Sequence, residues 1–174
     1  MKKIGTMLLF SFLITGCTQT QPDSKEQKKD VIATSSTQVN APSFFHLSVL
    51  KDVNWEETPS FVEGKMPLKG IEGKVAMADS PIIANEQNEI MWHFLDSEMP
   101  TGKLSIIALQ QGSVTPTPVL FQQETSKQTW TTSNTIDSTI SELPLTMSLP
   151  SSGLWLLNIY VNEKYYDQFV ITAK

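Results

Sequence analysis

Polar and apolar positions alternate most clearly at the C-terminal end of this chain. In "GLWLLNIYVNEKYYDQFVITAK" (residues 153–174), Trp155, Leu157, Ile159 and Val161 recur at every second position. Phe169, Ile171 and Ala173 do so again after the polar break "NEK". A period of two sends successive side chains to opposite faces of a strand, so both runs predict half-buried antiparallel strands joined as a hairpin. Shorter runs predict strands at 73–78 (GKVAMA), 89–95 (EIMWHFL), 103–110 (KLSIIALQ), 118–123 (PVLFQQ) and 143–149 (LPLTMSL), with another at "QTWTT" (128–132). Turn-rich breaks separate them: "DSP", "NEQN", "SEMPTG", "QQGS", "NTIDS" and "PSSG". No stretch sustains a helical period. About seven short strands, with turns about every 8–12 residues, predict an all-β fold, an immunoglobulin-like antiparallel β-sandwich. Residues 43–55, "SFFHLSVLKDVNW", fit either a short helix or an added strand.

One spacing sharpens this expectation. "LPSSGLWLLNIYV" has Pro, then Gly, one residue, an aromatic, and an alternating strand. Immunoglobulin-like domains enter their second-last strand in a similar way, with a corner Tyr that bonds back to the loop. Trp155 holds that place here, so the hydroxyl bond is absent and an indole N–H bond can replace it. Its aliphatic neighbours on one face make Trp155 a core residue.

The N-terminal pattern is different. Lys2 and Lys3 precede an apolar run, Ile4 to Thr15, of about a dozen residues, where a membrane-spanning helix needs about 20. That is the pattern of a secretory signal. It ends in "ITGC" (residues 14–17), which resembles the lipobox of bacterial lipoproteins. The resemblance implies a diacylglycerol on the Cys17 thiol, cleavage between Gly16 and Cys17, and an anchor on the extracytoplasmic face of the cell membrane. Two acyl chains hold stably where one binds marginally. Residues 18–43 carry no aromatic residue and few apolar ones. Such a stretch cannot offset its conformational entropy by burial and is expected to be a disordered tether. The expected organisation is a signal peptide at 1–16, lipidated Cys and tether at 17–43, and the sandwich at 44–174.

Charge narrows the partners. All 13 basic residues are Lys, and without the two in the leader 11 Lys face 18 acids, a formal charge of −7. That excess disfavours nucleic acid, whose recognition rests on basic patches and often on Arg forks. Cys17 is the only cysteine of the chain. With its thiol acylated no disulfide can form, and the domain must rely on its apolar core.

"GIEGKVAMADSPIIANEQNEIMWHF" and "LPSSGLWLLNIYVNEKYYDQFVITAK" resemble an uncharacterised family of Gram-positive, spore-former-type lipoproteins with a bacterial immunoglobulin-like domain. Trp92, His93, Phe94, Gly153 and Trp155 match its "MWHF" and "GLW" strands. Members often continue with Trp-Gly where this chain has Leu95-Asp96. The resemblance implies a fold and an address, and no activity.

Few residues announce chemistry. His46 and His93 are the only histidines and stand 47 positions apart. Two histidines without a spaced motif fall short of the three or four ligands of a zinc site, so no metal and no cofactor is expected. No phosphate loop, dinucleotide fingerprint or nucleophile elbow occurs. His93 reads either as a strand histidine packed by its neighbours or as part of a surface with Trp92 and Phe94, the candidate binding residues. The expected function is an anchored binding or structural module without catalysis, whose partner is an envelope protein or a wall polymer. The alternatives are an envelope hydrolase using His93 and a nearby acid, or a module resembling a protease inhibitor.

Overall fold

A computed structural model describes residues 41–122 and 124–174. The predicted leader, Gly16, Cys17 and nearly all of the predicted tether lie outside the described residues. Ala41 already packs on the domain, so the folded part begins a few residues earlier than the predicted start at 44.

Among the described residues, twelve strands follow a single 3-10 turn at Leu47–Leu50. They are β1 (Ser60–Glu63), β2 (Met66–Ile71), β3 (Val75–Ala78), β4 (Asn88–Phe94), β5 (Gly102–Gln110) and β6 (Thr117–Pro118). They continue as β7 (Leu120–Gln122), β8 (Lys127–Thr129), β9 (Thr131–Ile136), β10 (Glu142–Met147), β11 (Gly153–Val161) and β12 (Lys164–Ala173). One sheet has the order β1-β2-β3-β4-β10-β7-β8; the other runs β12-β11-β5-β6, with β9 also on β5. The strand pairs are antiparallel, and the chain forms a β-sandwich. It passes from the first sheet to the second at β4→β5, β8→β9 and β10→β11, and β4 neighbours β10 while β5 neighbours β11.

The count exceeds the expected seven for identifiable reasons. The predicted strand 118–123 breaks at Val119, where the chain leaves β6 in the second sheet for β7 in the first. The Val119 carbonyl there accepts from Ser148 N–H at 2.9 Å. "QTWTT" breaks in the same way at Trp130, whose carbonyl accepts from Ile106 N–H at 3.0 Å. β1 and β2 went unpredicted because Pro67, Lys69 and Gly70 interrupt the alternation of "SFVEGKMPLKGI".

Between the sheets lies the main core: Ile90, Trp92 and Phe94 from β4, Ile106 and Ala108 from β5, Trp155, Leu157, Ile159 and Val161 from β11, and Phe169 and Ile171 from β12. A second apolar layer covers the opposite face of the second sheet. Ile107, Leu109, Leu156, Tyr160 and Val170 are buried there beneath the strap formed by residues 41–55, with Phe45 sealed and Phe44, Leu50 and Trp55 partly buried. β5 and β11 are therefore buried on both faces, where the alternation of β11 had implied half burial. This explains why "SIIALQ" and "LWLLNIY" are almost continuously apolar.

Two close features fix the hairpin end. Asn162 and Glu163 both have positive φ, 50° and 64°, the signature of a type I′ turn that matches strand twist. Gly102 packs against this turn: a Cβ at that position would lie 2.3 Å from the Asn162 Cβ. The outer edge of β12 is also occupied. Tyr166 C=O accepts from the Lys74 ammonium, Val170 bonds to Thr58 through both N–H and C=O, and Lys174 does the same with Ile82 and Ala84.

Candidate binding site

The residues singled out in "MWHF" do not form a surface in this fold. Trp92 (0% exposed) and Phe94 alternate into the core with Ile90. His93 turns to the other face of β4, between Ala76 on β3 and Glu142 on β10, and is only 4% exposed. Its Nδ1 lies 3.5 Å from the Glu142 carboxylate. Among the described residues Glu142 is its one ion-pair partner, so the structure does bring His93 beside an acid, on a buried stretch of β4. Asp96, which follows the motif, accepts from the Tyr166 hydroxyl at 2.9 Å. Burial and that bond push the Tyr166 phenol well above its ordinary pKa. Among the described residues no three His, Cys, Asp or Glu side chains group to hold a metal ion. Trp155 is sealed in the core, and its indole N–H donates to the Ser151 carbonyl at 3.0 Å, the replacement corner bond.

Polar and aromatic groups converge instead on the outer face of the second sheet, beside the hairpin turn. The strap and the β11–β12 hairpin enclose an open depression of about 400 Å³, lined by Phe44, His46, Lys51, Tyr160, Tyr165 and Gln168 among others. Each wall has a local cause. β11 and β12 stay in one register up to Ile159, and then the pairing shifts so that Tyr160 faces Tyr165 and Tyr166 is left unpaired. This bulge puts Tyr165 on the outer face and Tyr166 in the main core. The strap turns at Leu47–Leu50, which brings Phe44, His46 and Lys51 to the same place.

The aromatic rings form a connected set. Phe44 and Tyr160 have centroids 5.2 Å apart, and Tyr160 and Tyr165 meet edge to face at 5.7 Å. Tyr160 is the buried floor, while Tyr165 is 51% exposed. Burial, with the Asp167 and Tyr160 charges adding, pushes the Tyr165 phenol up to about 12. The aromatic wall is therefore uncharged at neutral pH.

Two acceptors at this face lack donors. Asn158 on β11 and Gln168 on β12 are cross-strand partners. Asn158 Nδ2 donates to the Ile107 carbonyl at 2.9 Å, but its Oδ1 and the Gln168 Oε1 are buried without a hydrogen-bond partner. An unmet buried acceptor costs about 1–3 kcal/mol. Gln168 itself lines the depression.

Two other depressions are built differently. One, of about 350 Å³, surrounds Lys69, which pairs with Glu57 and lies 3.3 Å from Asp79. Ser60 donates to Asp79 at 2.6 Å and Thr172 to Glu57 at 2.8 Å. The Glu57–Lys69–Asp79 cluster satisfies its own charges and clasps β2 to β12. The other, of about 460 Å³, runs along β7 and β10. Gln122 there donates to Ser133 at 3.1 Å across its wall.

Sequence reading missed Phe44, Tyr160, Tyr165 and Gln168. The available signal was the pair of tyrosines flanking "NEK", which a two-residue turn brings opposite one another. The single-residue shift that turns Tyr165 outward leaves no mark in the pattern.

The fold defines an antiparallel β-sandwich domain. Within that class, residues 44–171 match the family model described as a domain of unknown function, DUF4871, and the chain belongs to that family. Its structure is similar to an X-ray crystal structure of a protein from Bacillus anthracis, provisionally named a lipoprotein. The TM-score is 0.78 and the identity 87%, over 80% of this chain and 100% of that one. No curated protein matches the chain.

Proposed function

We propose that this protein is a lipid-anchored module on the extracytoplasmic face of the bacterial membrane, which binds an envelope component and performs no catalysis. The anchor is supported by Gly16-Cys17 closing a basic-then-apolar leader, and by the 87% identical relative's provisional name of lipoprotein. The observation that carries the binding role is the depression at Tyr165. It combines an exposed aromatic ring and a fixed aromatic floor with the polar side chains of Gln168, Lys51 and His46, a composition suited to recognition. Against a hydrolase stands the seclusion of His93 with Glu142 as its one acidic neighbour.

The test has two arms. Membranes of cells making wild type or Cys17→Ala are fractionated, and the N-terminal peptide of the mature protein is weighed. Wild type is expected in the membrane with a diacylglyceryl-modified Cys17, and Cys17→Ala in the soluble or unprocessed fraction. Equal membrane partition of the two would overturn the anchor. Affinity capture of the detergent-solubilised protein from its own envelope is expected to retain a specific wall polymer or protein. Retention of nothing above a denatured control would overturn the binding role.

A further inference from the structure

We propose that the strap, residues 41–55, is a detachable cover: it unseats as a unit while both sheets stay folded, and takes one wall of the Tyr165 depression with it. This adds a regulation to the binding-module reading and rests on that reading for the use of the site. Among the described residues, every hydrogen bond the strap makes is local. Phe45 N–H donates to the Pro42 carbonyl at 3.0 Å, Val49 N–H to His46 at 3.3 Å, Lys51 N–H to Ser48 at 3.0 Å, and the Asn54 amide to Glu56 at 3.1 Å. None reaches a sheet. The chain is first tied to one just beyond, where Glu57 pairs with Lys69 and accepts from Thr172, and Thr58 bonds with Val170. Side-chain packing alone therefore seats the strap, through Phe45 and the half-buried Phe44, Val49, Leu50, Val53 and Trp55.

Three features oppose that packing. Ordering the 15 residues of the strap costs conformational entropy. Asp52 holds a φ of 62° within it, a left-handed conformation that opening relaxes. On the covered face, Asn158 Oδ1 and Gln168 Oε1 are buried without a donor, and water meets both when the cover lifts. The sheet beneath has no such release, because β11 is paired with β12 on one side and β5 on the other. Opening bares Ile107, Leu109, Leu156 and Val170 and removes Phe44, His46 and Lys51 from the depression. The strap also follows directly on the segment that leads from Cys17. Tension on the anchor therefore reaches Ala41 before any hydrogen-bonded strand. Peeling stops at Glu57 and Thr58 and lengthens the tether by about 50 Å, at about 3.3–3.6 Å per residue. A ligand that needs the strap wall binds only the seated state and holds it down, whereas load on the anchor favours the open one.

The test is maleimide labelling of the full-length protein in detergent, with wild type as the blank for Cys17. Leu156→Cys and Leu157→Cys place a thiol on opposite faces of β11, the first beneath the strap and the second between the sheets; both positions are buried, at 1% and 0%. Without urea, Leu156→Cys is expected to label at least about tenfold faster than Leu157→Cys, at a rate that low urea barely changes, because a local opening exposes little surface. Leu157→Cys should label only through global unfolding, with the full urea dependence. Val170→Cys and Ile171→Cys form a second such pair across β12, which decides the matter if a Leu variant does not melt cooperatively. Equal labelling of the two faces, with equal urea dependence, would overturn the proposal. If the faces label equally and the envelope capture returns a partner, the detachable strap falls and the binding-module reading stands. If the strap face labels fast and the capture returns nothing, the opening stands and its role in recognition falls with that reading.

Discussion

The two faces of the β12-β11-β5 sheet are both buried, but they are built to different standards. The inner face meets the other sheet through interdigitated aliphatic and aromatic side chains, and Trp155 there has its one polar atom satisfied by Ser151. The outer face is covered by a strap with a single 3-10 turn, and it retains two buried acceptors without donors. The inner core keeps one as well, the buried indole N–H of Trp92, so unmet polar atoms alone do not mark the outer face. The outer face differs in carrying an exposed ring, Tyr165 at 51%, beside the strap.

The largest effects should fall on the inner face. Trp155→Ala is expected to lower stability by about 3–5 kcal/mol, against about 3 for Phe45→Ala in the strap layer, as measured by urea denaturation. The strap can collapse onto the space left by Phe45, whereas two hydrogen-bonded sheets cannot close on the space left by Trp155. Equal losses, or a Trp155→Ala protein that melts within a degree or two of wild type, would erase the distinction.

Acid should act elsewhere, on the clasp between β2 and β12. The hydrogen bond from Lys69 holds Glu57 below its ordinary 4.5, with Thr172 adding to it against the cost of burial. Asp79 is held below 3.8 first by Ser60 and then by Lys69. For Lys69 burial is the largest single influence and pulls its pKa down, but the bonds to Glu57 and Asp79 outweigh it together and the net shift is upward. The two carboxylates have depressed values, so their contribution is present above the unfolded values and lost as pH falls through the folded ones. Melting temperature should therefore drop below about pH 4.5, more steeply in wild type than in Lys69→Met. The variant keeps the Ser60 bond to Asp79 and so retains part of the slope. Identical slopes from pH 5 to 2 would show that the clasp contributes nothing.

A smaller effect is expected at the hairpin turn. Glu163 has a φ of 64°, where a side chain strains the backbone and glycine does not. Glu163→Gly should stabilise the domain by about 0.5–1 kcal/mol, with the depression unchanged. A loss of stability would mean that the Glu163 side chain makes an interaction the turn depends on.

What the chain made legible followed from periodicity. The final hairpin, the strands at β4 and β5 and the core place of Trp155 were all visible, because alternation and turn residues agreed there. The strap was not, because residues 43–55 carry no period and owe their position to the sheet they cover. β1 and β2 were hidden by Pro67 and Gly70, which a paired strand tolerates when its neighbours supply the order. The site was misplaced for a related reason. "MWHF" concentrates residues rich in chemistry, yet alternation sends Trp92 and Phe94 inward, and His93 is buried between β3 and β10. Tyr165, by contrast, is turned outward by a bulge that only the folded register reveals.

On the proposed function, recognition lies on the strap side of the second sheet and not on the "MWHF" strand. The most direct measurement is co-sedimentation of the full-length protein in detergent with purified cell-wall sacculi, comparing Tyr165→Ala with Met91→Ala. Tyr165 and Met91 are both exposed, at 51% and 37%, so neither change should unfold the domain. Tyr165→Ala is expected to leave the pellet, and Met91→Ala to remain in it with wild type. Loss of sedimentation in Met91→Ala, with Tyr165→Ala unaffected, would contradict it.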